Sequence, residues 1–390
     1  MAISQNFPTV RPTLSLNFAR SKTLDPRITF ERNSIGTYVD EDGLIKTAGV
    51  DEARFDHDPA TGESLGLLIE ESTTNLIPQS EALNNAEWIS FGSLLPFSAN
   101  AAVAPDGNQT ADVPNDISTK WGIYDNSNGG WLTGYPQVYP FTVTSEWTRQ
   151  SLTFTTPAGC TFIRFYVLRT QNDASYVYDN VTVSAGTTYT ASAYYKLHTD
   201  GTTVLAWGAQ LEEGSFPTSY IPTSSFTVTR AADLAKITGT NFTDFYNQTE
   251  GSFVSNIRLN SSFPVNGYAS ISFTLSDNSF NNRVTIASST GSSAFNADVT
   301  VSGTNTRAVL GNYTSGASSI RTSIGYKASD TAGCLNGATV VTSSPGTIPL
   351  LTRADIGKDH VNNNLLNGHI RQITYYSKRL TNAQLQNLTK

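Results

Sequence analysis

Apolar residues recur at every second position along much of this chain. Leu14, Leu16 and Phe18 alternate with Ser15 and Asn17, and Ile28 and Phe30 repeat the pattern. A period of two is that of a strand with one buried face. Between Tyr38-Val39 and Leu44-Ile45 stands Asp40-Glu41-Asp42-Gly43, whose Asp-Gly pair favours positive φ and predicts a chain reversal. Pro59-Ala60-Thr61-Gly62 predicts a second. Leu65 to Ile69 is a continuous apolar run between Gly62 and the acidic pair Glu70-Glu71. It is too short for a typical helix and reads as a strand buried on both faces.

Periodicity fades from Asn84 to about Gly134, where Gly, Asn, Asp and Pro accumulate, and this segment is expected to be loop-rich and exposed. Strand patterns return at Leu152 to Phe154, Thr161 to Val167, Tyr189 to Tyr195 and Val204 to Ala209, with polar or Pro/Gly stretches between them. Short strands at such spacing indicate a sandwich or jelly roll. A further series begins at Gly251 to Val254 and continues through Ile271 to Leu275, Val284 to Ala287 and Ala308 to Leu310. After a last strand near Ile370 to Tyr376, Thr381 and Gln384 form a capping box, with Leu380 and Leu385 at the two positions of a hydrophobic staple. A short terminal helix is therefore predicted, pinned by Leu385 and Leu388.

At 390 residues the chain exceeds one ordinary core, so two or three domains are expected. Charged residues make up 15% of it and the formal net charge is -7, with no block of Lys or Arg. A phosphate-binding face for nucleic acid is not expected. The start, MAISQNFPTVRP, lacks a charged segment leading into an apolar one, and the chain has no apolar run long enough to span a bilayer, so neither a signal peptide nor membrane insertion is expected. Cys160 and Cys334 lie far apart among small or apolar residues, which reads as two buried thiols.

Two strings in the first part of the chain, ITFERNSIGTYVDEDGLIKTA (28–48) and GLLIEESTTNL (66–76), resemble a module of the structural proteins of tailed bacteriophages, in tail fibres and head spikes. WGAQLEEG (207–214) followed by TSYIPT (218–223) is similar to the close of a carbohydrate-binding-module-like jelly roll in the same proteins. The order of AGTTYTASAYYK (185–196) and WTRQSLTFTT (147–156) is reversed here relative to that pattern. NGHIRQITYY (367–376) and the helix after it resemble the end of a concanavalin-A-like, laminin-G-like sandwich.

The fold expected is thus all-β, with serial β-sandwich or jelly-roll domains: an N-terminal β module over 1–80, for which the resemblance suggests virion attachment, a carbohydrate-binding-module-like jelly roll over 81–228, and a concanavalin-A-like sandwich over 229–390, with a short terminal helix. The resemblance implies a virion protein made in the host cytoplasm, a fibre or spike that adheres to a host-surface glycan. It also implies a homotrimer that meets other virion proteins. The alternatives are a virion-associated polysaccharide depolymerase, and a head decoration or tail connector without receptor binding.

No catalytic set stands out. None of the four histidines accompanies a Gly-x-Ser-x-Gly elbow, and His57, in Asp56-His57-Asp58-Pro59, reads as a solvated turn residue. Glu70-Glu71 and Glu212-Glu213 are adjacent on strands and point to opposite faces, so neither pair alone forms a glycosidase site; Asp173 with Asp179 is the remaining candidate. Asp40, Asp42, Asp56 and Asp58 lack the full calcium-loop pattern and read as turn residues. No enzymatic role, cofactor or metal is expected.

Aromatic residues are the better lead. Trp121, Tyr124, Trp131 and Tyr135 crowd a stretch otherwise rich in Asn, Asp and Gly, with Asp125 and Asn126 beside them. Exposed rings stack on sugar rings, and neighbouring amides and carboxylates bond to hydroxyls, the mixture expected of a ligand site. The same rings are equally of the kind that bury in a core or a subunit interface.

Overall fold

The computed structural model describes residues 7–81, 83, 89–91, 105–106, 111–114, 120–132, 139–140, 143–169, 176–197, 203–260, 271–288, 294–313, 319–361 and 364–390. Strands make up 50% of it and helices 5%, so the chain is all-β, as its alternation predicts. It divides into two compact units. One comprises residues 1–43, 48–71 and 231–390, the other residues 44–47 and 72–230.

The first unit is a sandwich. Its eight-stranded sheet runs in the order Val341–Ser343, Asp330–Leu335, Ile320–Lys327, Glu250–Leu259, Gly368–Tyr376, Ser64–Ile69 and Phe55–His57, and Leu14–Leu16 also pairs with Gly368–Tyr376. The seven-stranded sheet runs Thr29–Glu31, Leu234–Thr238, Arg353–Ile356, Ile271–Ser276, Arg283–Ser288, Ala294–Val301 and Thr304–Asn312. Alternate side chains from both sheets build one core, including Leu16, Leu67, Phe253, Phe273, Ile286, Val299, Ile324 and Ile370.

This arrangement corrects the expected boundaries. The stretch 1–80 is no separate module, because four of its strands, Leu14–Leu16, Thr29–Glu31, Phe55–His57 and Ser64–Ile69, complete the two sheets of the C-terminal sandwich, and residues 44–47 and 72–80 belong to the other unit. Leu14 lies opposite Tyr375 and Ile69 opposite Gly368, so the two N-terminal strands share one edge of the last long strand. Left unpaired, that edge would expose a row of backbone donors and acceptors.

Polar residues of the phage-like wording are buried in the same unit. The Arg54 guanidinium reaches Glu70 Oε2 at 2.9 Å and also bonds to Asp233, whose other oxygen accepts from Arg32 Nη1 at 3.0 Å. All four side chains are essentially inaccessible to solvent. Backbone closes the network: Arg32 Nη2 donates to the Gly49 carbonyl at 2.7 Å, Arg54 Nη1 to that of Thr37 at 2.9 Å, and the Glu70 N–H to Asp233 Oδ2 at 3.0 Å. Gly36 sits against this cluster, where a Cβ would lie 3.0 Å from Arg32 Nε.

The second unit has a six-stranded sheet, ordered Gly130–Trp131, Lys120–Asp125, Phe162–Arg169, Tyr176–Thr182 and Ile89–Phe91, with Tyr139–Pro140 also on Lys120–Asp125. A four-stranded sheet runs Thr148–Thr155, Thr188–Leu197, Thr203–Glu213 and Ala111–Pro114. Ile163, Phe165, Val181, Ala191, Tyr195 and Leu211 belong to their common core. The expectation of a loop-rich 84–134 segment is corrected, since its described residues include four strands. Their short length and weak alternation hid them.

The WGAQLEEG and TSYIPT strings lock together by side-chain-to-backbone bonds. Gln210 Oε1 accepts from the Ile221 N–H at 2.8 Å, while Glu212 accepts from the Thr218 N–H at 2.8 Å and its hydroxyl at 2.7 Å. Asn75, from TTNL, accepts from the Leu211 N–H at 3.1 Å and donates to the Ile221 carbonyl at 2.9 Å. The terminal helix forms at Asn382–Asn387 with both bonds of the capping box between Thr381 and Gln384, and with Leu385 buried.

Candidate functional site

The six-stranded sheet of the second unit presents an aromatic face opposite its core. Ile123, Ile163, Phe165 and Val167 point inward and are buried, so Tyr124, Arg164 and Tyr166 point the other way. Strand register then lines up side chains that lie far apart in sequence. Tyr124 is paired with Trp131 on one side and Arg164 on the other, and Tyr166 is paired with Tyr178.

The rings touch in a chain. Tyr124 meets Trp131 edge-on with centroids 5.3 Å apart, Trp131 tilts against Tyr166 at 5.3 Å, and Tyr166 against Tyr178 at 4.9 Å. The Arg164 guanidinium lies over Tyr178 at 5.1 Å and Tyr124 at 5.9 Å, which ties the row together by cation–π contact. The Tyr166 hydroxyl bonded to it holds Arg164 above the ordinary arginine range. Tyr166 and Tyr178 are largely covered by their neighbours, whereas Tyr124 and Trp131 are half-exposed. Such a row offers two half-exposed rings, Tyr124 and Trp131, set edge to face, with hydroxyls and one cation beside them.

The residues expected from sequence are placed as follows. Tyr124 and Trp131 stand in the row. Trp121 lies on the same strand as Tyr124, but its side chain is outside the described residues, as is all of Tyr135. Asp125 is buried and turned into its own loop, where it accepts from the Ser127 and Asn128 N–H groups at 3.0 Å each and from Asn128 Nδ2 at 2.7 Å. Those bonds hold its carboxyl below the ordinary range despite the opposing effect of burial. The Asn126 N–H donates to the Phe162 carbonyl at 3.0 Å, and its side chain is half-exposed at the loop. Arg164, Tyr166 and Tyr178 escaped notice, although the alternation in Phe162 to Val167 already places Arg164 and Tyr166 on one face.

Other candidates are engaged structurally. His57 is no solvated turn residue: it is buried at the end of a strand, with Nδ1 3.0 Å from the Val39 carbonyl. Asp56 bonds to His369 Nε2 at 2.7 Å and accepts from the Val39 N–H at 2.6 Å. Glu70 belongs to the buried charge network and Glu212 to the Thr218 bonds. Asp173 lies outside the described residues. Both thiols are free and buried, and burial pushes Cys160 up to about 11.

An all-β, two-unit protein with an aromatic sheet face is what the geometry defines. No protein-family model matches the chain and no curated protein matches it. Among solved structures, the native heptameric SAP-like pentraxin of Limulus polyphemus matches 36% of this chain and 70% of its own, at 11% identity and a TM-score of 0.27. Domains LG4-5 of the mouse laminin alpha1 chain match over 77% and 88%, at 10% identity and a TM-score of 0.24. Trypanosoma rangeli sialidase, in complex with the inhibitor DANA, matches over 88% and 63%, at 8% identity and a TM-score of 0.32. The chain thus spans less than two thirds of the sialidase's length. These likenesses concern fold alone and transfer no residue role. The expectation that the chain is not an enzyme is corrected to an open one: sialidase structures stand among the matches, at 8% identity and TM-scores near 0.3 that assign this chain no activity.

Proposed function

We propose that this chain is a surface protein of a bacteriophage particle, a fibre or spike, and that the row Trp131, Tyr124, Arg164, Tyr166, Tyr178 binds saccharide on the host surface. The observation that carries the binding role is the row itself: four rings touching in sequence on the face of a sheet opposite its core, with two of them half-exposed. Sugar rings present C–H faces that pack on such surfaces, while Arg164 and the tyrosine hydroxyls bond at the rim. The virion role rests on the phage-like wording at 28–48, 66–76 and 207–223. A homo-oligomer, a trimer by the same resemblance, belongs to this proposal.

The test is binding of the purified chain to immobilised surface polysaccharide of candidate hosts, with new reducing ends assayed in the same incubation. Trp131→Ala is expected to weaken binding about tenfold, the scale of one aromatic anchor. If Trp131→Ala leaves saccharide binding intact but changes the particle mass in solution, the row is a subunit interface and the proposal fails.

A further inference from the structure

The first unit carries a concave surface, separate in its residues from the aromatic row. On the side of its seven-stranded sheet facing away from the core, Asp355, Thr274, Thr285, Asp298 and Arg307 are successive cross-strand neighbours. A groove of about 470 Å³ lies over this row, walled by Phe280, Arg283, Asp359 and Asn364. That volume falls within the range of small-molecule sites.

Most polar groups along the groove are hydrogen-bonded to one another. Arg307 holds Asp298 in a two-pronged bond, Nε to Oδ1 at 2.9 Å and Nη2 to Oδ2 at 2.8 Å. Lys358 Nζ donates to Asp355 at 2.7 Å. Asp359 accepts from the Val361 N–H at 3.1 Å and from Asn364 Nδ2 at 2.5 Å. Thr274 and Thr285 bond to each other through their hydroxyls at 2.8 Å. Arg283, in contrast, has a solvent-inaccessible Nε without a hydrogen-bond partner, and its guanidinium lies over the Phe280 ring at 5.3 Å. Burial holds Arg283 below the ordinary arginine range even though Asp298 and Asp359 lie near enough to oppose the shift. Both carboxylates are hydrogen-bonded to other partners, Asp298 to Arg307 and Asp359 to Val361 and Asn364.

Phe280 is 45% exposed, unusual for a phenylalanine, and His360 packs edge-on against it at 4.3 Å. The groove therefore combines an apolar ring, a planar cation whose Nε has no hydrogen-bond partner, and a floor of threonine hydroxyls. We infer that this groove binds a carboxylate-bearing sugar, with the carboxylate taken by the Arg283 fork and the sugar ring laid against Phe280. A guanidinium matches the planar geometry of a carboxylate through two parallel N–H bonds, which a lysine cannot reproduce. Thr274 and Thr285 supply bonds to ring hydroxyls. This site is independent of the aromatic row, and its failure would leave that reading untouched.

The experiment uses the full chain carrying Trp131→Ala, so that the other unit contributes little. Uronic-acid oligosaccharides are compared with their carboxyl-reduced counterparts and with inorganic phosphate by titration calorimetry. The acidic sugars are expected to bind about tenfold more tightly than the reduced ones, a preference that Arg283→Gln abolishes and Arg283→Lys only partly keeps. Thermal melting of the variants confirms that they are folded. Equal binding of acid and reduced sugar, a preference that survives Arg283→Gln, competition by phosphate at equal concentration, or no binding of any acidic sugar would each overturn the inference.

Discussion

Replacing Asp233 by Asn perturbs the buried charge network at its centre. Asp233 accepts from Arg32, from Arg54 and from the Glu70 N–H, and neither guanidinium has solvent to fall back on. Asparagine offers one oxygen in place of two and turns an NH2 toward a guanidinium donor. Removing one member of a buried ion pair costs about 3–5 kcal/mol, since the partner charge stays buried. Glu70 remains on Arg54 and softens the loss there, and Arg32 keeps the Ser34 and Gly49 carbonyls. The expected loss is about 4 kcal/mol, or roughly 10 °C in the melting of a unit of this size.

The assay has a built-in control. All five tryptophans, at 88, 121, 131, 147 and 207, fall within the second unit, so their fluorescence follows that unit while far-UV circular dichroism follows both. Asp233→Asn should move the dichroism midpoint in denaturant and leave the fluorescence midpoint in place. A loss below about 1 kcal/mol would refute the reasoning, because a network that inaccessible cannot lose its central carboxylate so cheaply.

Other outcomes follow from the same geometry. Gly66 has φ +98° and an added Cβ would sit 2.2 Å from the Ile370 carbonyl oxygen, so Gly66→Ala should cost more than about 2 kcal/mol in a thermal melt of the first unit. The fragment 229–390, expressed alone, keeps Glu250–Leu259 on one edge of Gly368–Tyr376 but lacks both strands of the other edge and should aggregate in size-exclusion chromatography, whereas an independent C-terminal domain would elute as a folded species. Burial raises the Glu212 carboxyl above its ordinary 4.5 against the opposing effect of Arg149 and its hydrogen bonds. The native state then binds the proton more tightly than the unfolded chain, so the second unit loses stability as pH rises from about 4.5 through the raised value. Glu212→Gln should remove that slope, as read from fluorescence-monitored denaturation at pH 4.5 and 7.

What the sequence disclosed was mostly local. The Thr381 capping box needs only four consecutive residues and formed where it was expected. The alternation of Leu14 and Leu16 correctly marked a strand but said nothing about its partner, Gly368–Tyr376, because pairing across such a separation leaves no local trace. His57 sits in a turn-like string that the fold buries against Val39. The phage-like strings proved to be scaffolding: Arg32, Glu70, Asn75, Gln210 and Glu212 satisfy buried backbone and charge, and none of them belongs to the aromatic row. That row became visible only once register set Tyr124 beside Arg164 and Tyr166 beside Tyr178. Arg283 gave no signal, since its place over Phe280 and its unpartnered Nε are set by the fold.

The most direct test of the central claim is a crystal structure of the chain with a host-surface oligosaccharide selected by binding. The account predicts a sugar ring packed on Trp131 or Tyr124 with a hydroxyl bonded to Arg164 or a tyrosine of the row. A saccharide bound elsewhere in the second unit, with that face bare, would contradict it.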